Sequence, residues 1–130
     1  MATTQDTRRA EDQARAQVAS ILAMVRALDT EDEDAKESAQ QTIQEDALSV
    51  QVRSGWQRPG TPLEAEEYEI LLCTGGPAVR ITGQLGQYDE PDTARIEYQD
   101  WFTPWTEFLD ISTEEDEAVL TYAQQFYFGD

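Results

Sequence analysis

The chain has no histidine, a single cysteine, one lysine among its nine basic residues and no long apolar segment. Without histidine there is no Ser-His-Asp or Cys-His nucleophile system, and the commonest general base and zinc ligand are missing. One cysteine, Cys73, cannot form an intrachain disulfide, which fits a reducing compartment. No segment is long and apolar enough to span a bilayer, and no apolar stretch follows the N-terminal arginines as in a signal peptide. We therefore expect a cytoplasmic protein.

Motifs for phosphate and calcium binding are also missing. Thr74-Gly75-Gly76 lacks the spacing and the lysine of a phosphate loop. The acidic runs at residues 32–34 and 89–92 lack the glycine and the terminal glutamate of an EF-hand. Cys73 ends an apolar strand pattern, which is typical of a small core residue. The expectation is a protein that is not an enzyme, with no catalytic residue, no metal site and no cofactor.

What the chain has in excess is negative charge. It carries 27 acidic against nine basic residues in 130, a formal net charge of −18. The charge is uneven: residues 1–28 have a net charge of +1 and residues 29–58 of −5. Residues 59–130 hold sixteen acids against two arginines, a net charge of −14. Such a field repels nucleic acid and anionic membranes and attracts basic surfaces.

Two helices are predicted in the N-terminal part. Apolar residues at spacings of three and four predict an amphipathic helix over residues 7–28, with Thr7 as its N-cap. A second helix is expected to begin near Thr30 or Asp32, with acids in its first turn, where the helix dipole favours them. The short polar link favours a helical hairpin over residues 1–49. The stripe of the first helix could instead mediate a homodimer through Val18, Ile21, Leu22 and Val25.

Alternating side chains predict a sheet in the C-terminal part. Strands are expected over residues 67–73, 78–85 and 94–100, where apolar and polar side chains alternate. A shorter pattern at residues 50–53 indicates an edge strand, and Gly75-Gly76 suits a turn. Short connections favour an antiparallel meander whose apolar face needs helical cover.

An aromatic cluster follows the sheet. Trp101, Phe102, Trp105 and Phe108 surround Pro104 in an expected loop. They either close the open end of the sheet or contact a partner, since tryptophan is enriched at binding hot spots.

A last helix is predicted over residues 113–128, because Ser112 and Glu115 have the spacing of a capping box. The predicted fold class is α+β. It comprises an N-terminal helical hairpin (residues 1–49), then an antiparallel three- to four-stranded meander sheet with a C-terminal helix packed on it (residues 50–130), together forming one domain.

The acidity admits several interpretations. It could serve solubility or adaptation to high salt. It could imitate the phosphates of DNA, so that the protein occupies the basic groove of a nucleic-acid-binding protein. The protein could also be an interaction module that binds through Trp101 and Trp105. In none of these do we expect direct binding of nucleic acid or of a membrane.

The candidate partner-binding residues are carboxylates expected to be exposed. Strand carboxylates two residues apart stand about 6.6–6.8 Å apart on one face, and helix neighbours stand about 5–6 Å apart at Cβ, similar to neighbouring phosphates. The first choices lie on the sheet and its loops: Glu64, Glu66, Glu67, Glu69, Asp89, Glu90, Asp92 and Glu97. The second choices lie at helix starts: Asp32, Glu33, Asp34, Glu114, Glu115 and Glu117.

Three stretches carry a resemblance: EYEILL at residues 67–72, TGGPAVRI at residues 74–81 and EYQDWFTPWTE at residues 97–107. They resemble an uncharacterised family of small acidic proteins from bacterial plasmids, integrative elements and phages. The resemblance implies a setting and no functional residues. By class analogy it favours inhibitors of the anti-restriction and anti-CRISPR kind, several of which mimic DNA.

Overall fold

The computed structural model of the protein describes residues 2–74, 77–100, 103–126 and 128, with side chains from Arg9 onward except that of Gln87. Its elements in chain order are α1 (Ala2–Arg26), α2 (Glu33–Asp46), β1 (Ser49–Arg53), β2 (Glu67–Cys73), β3 (Ala78–Gln84), β4 (Arg95–Gln99), β5 (Thr106–Glu107) and α3 (Thr113–Ala123). The predicted α+β class is confirmed.

The strands form one antiparallel sheet in the order β1-β2-β3-β4-β5, a meander as predicted. Within the described ranges it has five strands rather than three or four. The additional strand is β5, which has only two residues and therefore too few to give an alternating pattern. The predicted Gly75-Gly76 turn lies outside the described residues.

One face of the sheet supplies the core. Inward and outward side chains alternate along the strands as the sequence predicted, and α1 and α3 lie over the inward ones. The buried residues include Ala10, Ala14, Val18 and Ile21 of α1, Tyr68, Ile70 and Leu72 of β2, Val79 and Ile81 of β3, Ile96 and Tyr98 of β4, and Val119 and Tyr122 of α3.

The structure corrects two expectations for α1. The helix begins at Ala2, so Thr7 lies inside it and is not its N-cap. Val18 and Ile21 are fully buried in the core, against which Leu22 and Val25 also pack. This stripe is therefore not an available homodimer surface. Although α1 has 25 residues, none of the described helices is apolar enough over its length to cross a membrane.

The second helix begins where the sequence predicted. Asp32 is its N-cap, and the Asp32 carboxylate accepts a hydrogen bond from the Asp34 N–H at 3.0 Å. Ile43 is buried, and the Tyr122 hydroxyl donates to the Asp46 carboxylate at 2.7 Å. These contacts attach α2 to the end of α3.

The C-terminal helix is shorter than predicted. Its capping box is present, but α3 ends at Ala123. The chain then forms a turn, in which the Gln125 N–H donates a hydrogen bond to the Tyr122 carbonyl at 3.1 Å. Leaving the helix brings Phe128 into the core, where its ring lies 5.0 Å from that of Tyr68.

Candidate partner-binding site

The outward face of the sheet carries a network of arginines and glutamates. Arg80 donates from Nε to Glu97 at 2.9 Å and from Nη1 to Glu69 at 2.6 Å. Its guanidinium also lies over the Trp105 ring, 4.1 Å from the ring centroid. The three strands β2, β3 and β4 each contribute one of the three charged groups, so the network crosses the middle of the sheet.

Two further arginines complete this network. The Arg53 guanidinium donates to Glu67 at 2.8 Å, and this hydrogen bond holds the pKa of Glu67 below its ordinary value. Arg95 lies 3.7 Å from the second oxygen of Glu97. Glu67, Glu69 and Glu97 were predicted as exposed phosphate mimics, but they are half-buried and ion-paired. Three arginines thus offset these three glutamates.

Two acids of α3 are also engaged within the molecule. Glu115 pairs with Arg15 at 2.5 Å, and Glu114 pairs with Arg26 at 2.7 Å, which ties α3 to α1. The pKa of Glu115 is lowered, mainly because the Ser112 N–H donates to its carboxylate. Of the remaining helix candidates, Asp32 caps α2, whereas Glu33, Asp34 and Glu117 are exposed.

A second group of predicted acids comes together at one end of the sheet. Glu64 and Glu66 precede β2, whereas Asp89, Glu90 and Asp92 lie in the connection from β3 to β4. We call these five residues, together with the neighbouring Leu63 and Tyr88, the acidic end. The Leu85 N–H donates to the Glu66 carbonyl at 2.8 Å, which joins the two segments. Leu63, Glu64, Glu66, Tyr88 and Asp89 line a common groove of about 830 Å³.

Hydrogen bonds to backbone carbonyls hold the β3–β4 connection in place. The Asp92 N–H donates to the Gln84 carbonyl at 2.8 Å, and the Tyr68 hydroxyl donates to the Thr93 carbonyl at 2.6 Å. Gly83 allows this approach, because a Cβ there would collide with the Thr93 carbonyl. These contacts therefore attach the β3–β4 part of the acidic end to the sheet.

The acids of the acidic end differ from those of the sheet face in their partners. All five are exposed, and within the described part of the chain none of them forms an ion pair. Gln57 lies 3.4 Å from Glu66 and supplies a neutral hydrogen bond. The excess negative charge that the sequence assigned to residues 59–130 is thus uncompensated here.

Exposed apolar side chains accompany these acids. Tyr88 is 90% exposed and has a φ of 62°, a left-handed conformation that bulky residues rarely adopt. Leu63 and Trp56 are also exposed. Sequence reasoning missed all three. The available signal for Trp56 was its position between Gly55 and Pro59, in a segment with no periodic apolar partners that could form a core face.

The described members of the aromatic cluster are used inside the molecule. Phe108 is buried, with its ring 6.4 Å from that of Tyr98, and Trp105 is covered on one side by Arg80. Trp101 and Phe102 lie outside the described residues. The described half of this cluster closes the sheet at β5 rather than forming an exposed patch.

Cys73 is half-buried, and burial raises the pKa of its thiol, which disfavours the reactive thiolate. In the described ranges no group of three or more acidic or cysteine side chains is placed to hold a metal ion. Comparisons with models of known protein families, with curated proteins and with solved structures found no match to this chain.

Proposed function

We propose that this protein is a non-catalytic, cytoplasmic inhibitor that binds a basic, nucleic-acid-binding protein of a host defence system, such as a restriction enzyme or a CRISPR effector. In this proposal the acidic end occupies the groove that otherwise holds DNA. A DNA-binding groove positions lysine and arginine side chains against phosphates, and carboxylates on a rigid scaffold can take the place of those phosphates.

The observation that carries the proposal is the separation of paired from unpaired acids. Glu67, Glu69 and Glu97 are matched by arginines, whereas the five acids of the acidic end are exposed and without ion pairs in the described structure. Acidity serving only solubility would not require this separation. At the acidic end, a partner with a basic groove would meet negative charge of this protein that no internal arginine compensates.

The test is a competition assay with labelled duplex DNA. The protein should displace DNA from a purified restriction enzyme or CRISPR effector of the host. Its direct binding to that enzyme, measured without DNA, should weaken as salt rises from about 50 to 200 mM, because screening weakens contacts between charges. If the protein displaced DNA from none of the restriction enzymes and CRISPR effectors tested, the proposal would be contradicted.

A matched pair of variants locates the surface. Glu64→Gln, Glu66→Gln and Asp89→Asn together remove three charges from the acidic end. Glu31→Gln, Glu37→Gln and Asp29→Asn remove the same number of charges from exposed positions before and within α2. We expect the first variant to bind at least about tenfold more weakly and the second to bind nearly as the wild type does. Equal weakening would assign binding to total charge rather than to the acidic end.

A second candidate function is supported by the exposure of Tyr88 and Trp56. Exposed aromatic residues are frequent hot spots of protein interfaces. In that case the protein is a general interaction module whose acidity serves solubility or salt adaptation. Its binding would persist at high salt and would be lost in Tyr88→Ala, whereas the acidic-end triple variant would retain it.

A further inference from the structure

Strand β1 has an uncovered apolar face. Val50 and Val52 pair with Ile70 and Tyr68 of β2, whose side chains are buried in the core, so all four lie on the same side of the sheet. Val50 is nevertheless 37% exposed and Val52 45% exposed, and the preceding Leu48 is also exposed. The main packing of helices on the sheet is that of α1 on β3 and β4 and of α3 on β4, and Val50 and Val52 of β1 remain partly exposed.

The outer edge of β1 is also open. β1 stands first in the strand order, so within the described structure only β2 pairs with it. Natural edge strands are usually protected by lysine, proline or a bulge. The sequence SVQVR contains neither lysine nor proline, and its register with β2 is continuous over five residue pairs. Its one charged residue, Arg53, is paired with Glu67. Backbone hydrogen bonds from an added strand can therefore form along this edge.

The charge around β1 selects the occupant. Glu45 lies shortly before β1, and Glu64 and Glu66 lie beyond its other end, where the Glu66 N–H donates to the Arg53 carbonyl at 2.9 Å. A second copy of the chain, with its own net charge of −18, would bring like charges together at both ends. A basic segment would instead find opposite charges there.

We propose that β1 docks an extended basic segment of a partner protein by strand addition. Alternate apolar side chains of the segment cover Leu48, Val50 and Val52, and lysines or arginines at its ends face the flanking acids. Main-chain hydrogen bonds supply affinity in this mode, and alternate side chains supply specificity. The inference goes beyond the proposed function, because the occupant is defined by its backbone and side chains and not by any activity of the partner.

The test uses a synthetic peptide whose five central residues alternate valine and threonine, matching the five residues of β1, between pairs of lysines. Two further peptides are N-methylated either on the valines or on the threonines. In a strand, the amides of alternate residues point to opposite edges. Strand addition therefore predicts that one methylated peptide binds as the parent does, and that the other loses at least about tenfold in affinity through missing hydrogen bonds.

Amide hydrogen exchange and two protein variants complete the test. On binding the parent peptide, amides within residues 48–53 should exchange more slowly. Val50→Lys should weaken binding at least about tenfold, because lysine on an edge strand opposes strand addition, whereas Leu109→Lys, at an exposed site after β5, should not.

Equal binding of both methylated peptides, or protection confined to the acidic end, would overturn the proposal. Concentration-dependent dimerisation lost in Val50→Lys would assign β1 to a second copy instead. The assay contains no nucleic-acid-binding protein, so it can fail while the competition with DNA succeeds, and the reverse.

Discussion

Arg80 binds two carboxylates and lies on an indole ring at the same time. Alternation along the strands predicted that Glu69, Arg80 and Glu97 point away from the core. It could not predict that they meet, because pairing depends on the register between β2, β3 and β4. Arg80 stands directly opposite Glu97 and diagonally from Glu69. Because of this register, Glu69 and Glu97, which were predicted to mimic phosphates, pair with Arg80 instead.

Replacing Arg80 should destabilise the fold. Arg80→Met keeps the apolar stem on Trp105 but leaves the half-buried Glu69 without its cation and the half-buried Glu97 with Arg95 alone, at 3.7 Å. We expect a loss of about 1.5–3 kcal/mol in the free energy of unfolding, the range for hydrogen bonds to charged groups. Urea unfolding followed by tryptophan fluorescence measures it.

Arg53→Met serves as the control, because Arg53 also pairs with a sheet glutamate but is well exposed to solvent. Its loss should be clearly smaller than that of Arg80→Met. Equal losses in the two variants would contradict a structural role for the buried part of the network.

Glu115 should make stability depend on pH. Its folded pKa is lowered, chiefly by the Ser112 N–H, with Arg15 contributing. Its contribution is therefore complete above the unfolded value of about 4.3 and is lost as the pH falls through the lower folded pKa. Glu115→Gln should be less stable than the wild type at neutral pH, and this difference in stability should shrink as the pH falls below about 4.3. A difference that stays constant in thermal unfolding across this pH range would refute the assignment.

At the scale of elements, periodicity located the three helices and four of the five strands that the structure describes. It could not tell what covers an apolar face. The stripe of α1 has the same pattern whether it meets a sheet or a second copy, and only the structure shows that the sheet covers it. The predicted ends of the helices were less accurate than their existence. The helix α1 begins before Thr7, and α3 ends early because Phe128 returns to the core.

The burial of α1 predicts the effect of shortening one side chain. Ile21 is fully buried, so Ile21→Ala should cost about 2–5 kcal/mol of stability, the usual range for such a cavity in a core. Leu22→Ala, at a half-buried position beside it, should cost less. Light scattering after gel filtration should give the same mass for both variants and the wild type, whereas a fall in mass in either variant would indicate that the stripe holds a dimer.

At the scale of the whole molecule, composition gave the total charge and the half of the chain that carries it. It could not tell which acids are compensated, because seven basic residues precede Pro59 in sequence and some of them reach acids far along the chain. Arg15 pairs with Glu115 and Arg53 with Glu67. When these pairs are set aside, the exposed acids that remain include the acidic end and the acids around the start of α2.

Carboxyl labelling with a carbodiimide and an amine, read by mass spectrometry, tests the separation of paired from unpaired acids directly. In the free protein, Glu64, Glu66, Asp89, Glu90 and Asp92 should react faster than Glu67, Glu69 and Glu97. Adding a DNA-binding partner displaced in the competition assay should protect the first group and leave the second unchanged. Equal reactivity of the two groups in the free protein, or protection of the sheet face alone, would contradict the account.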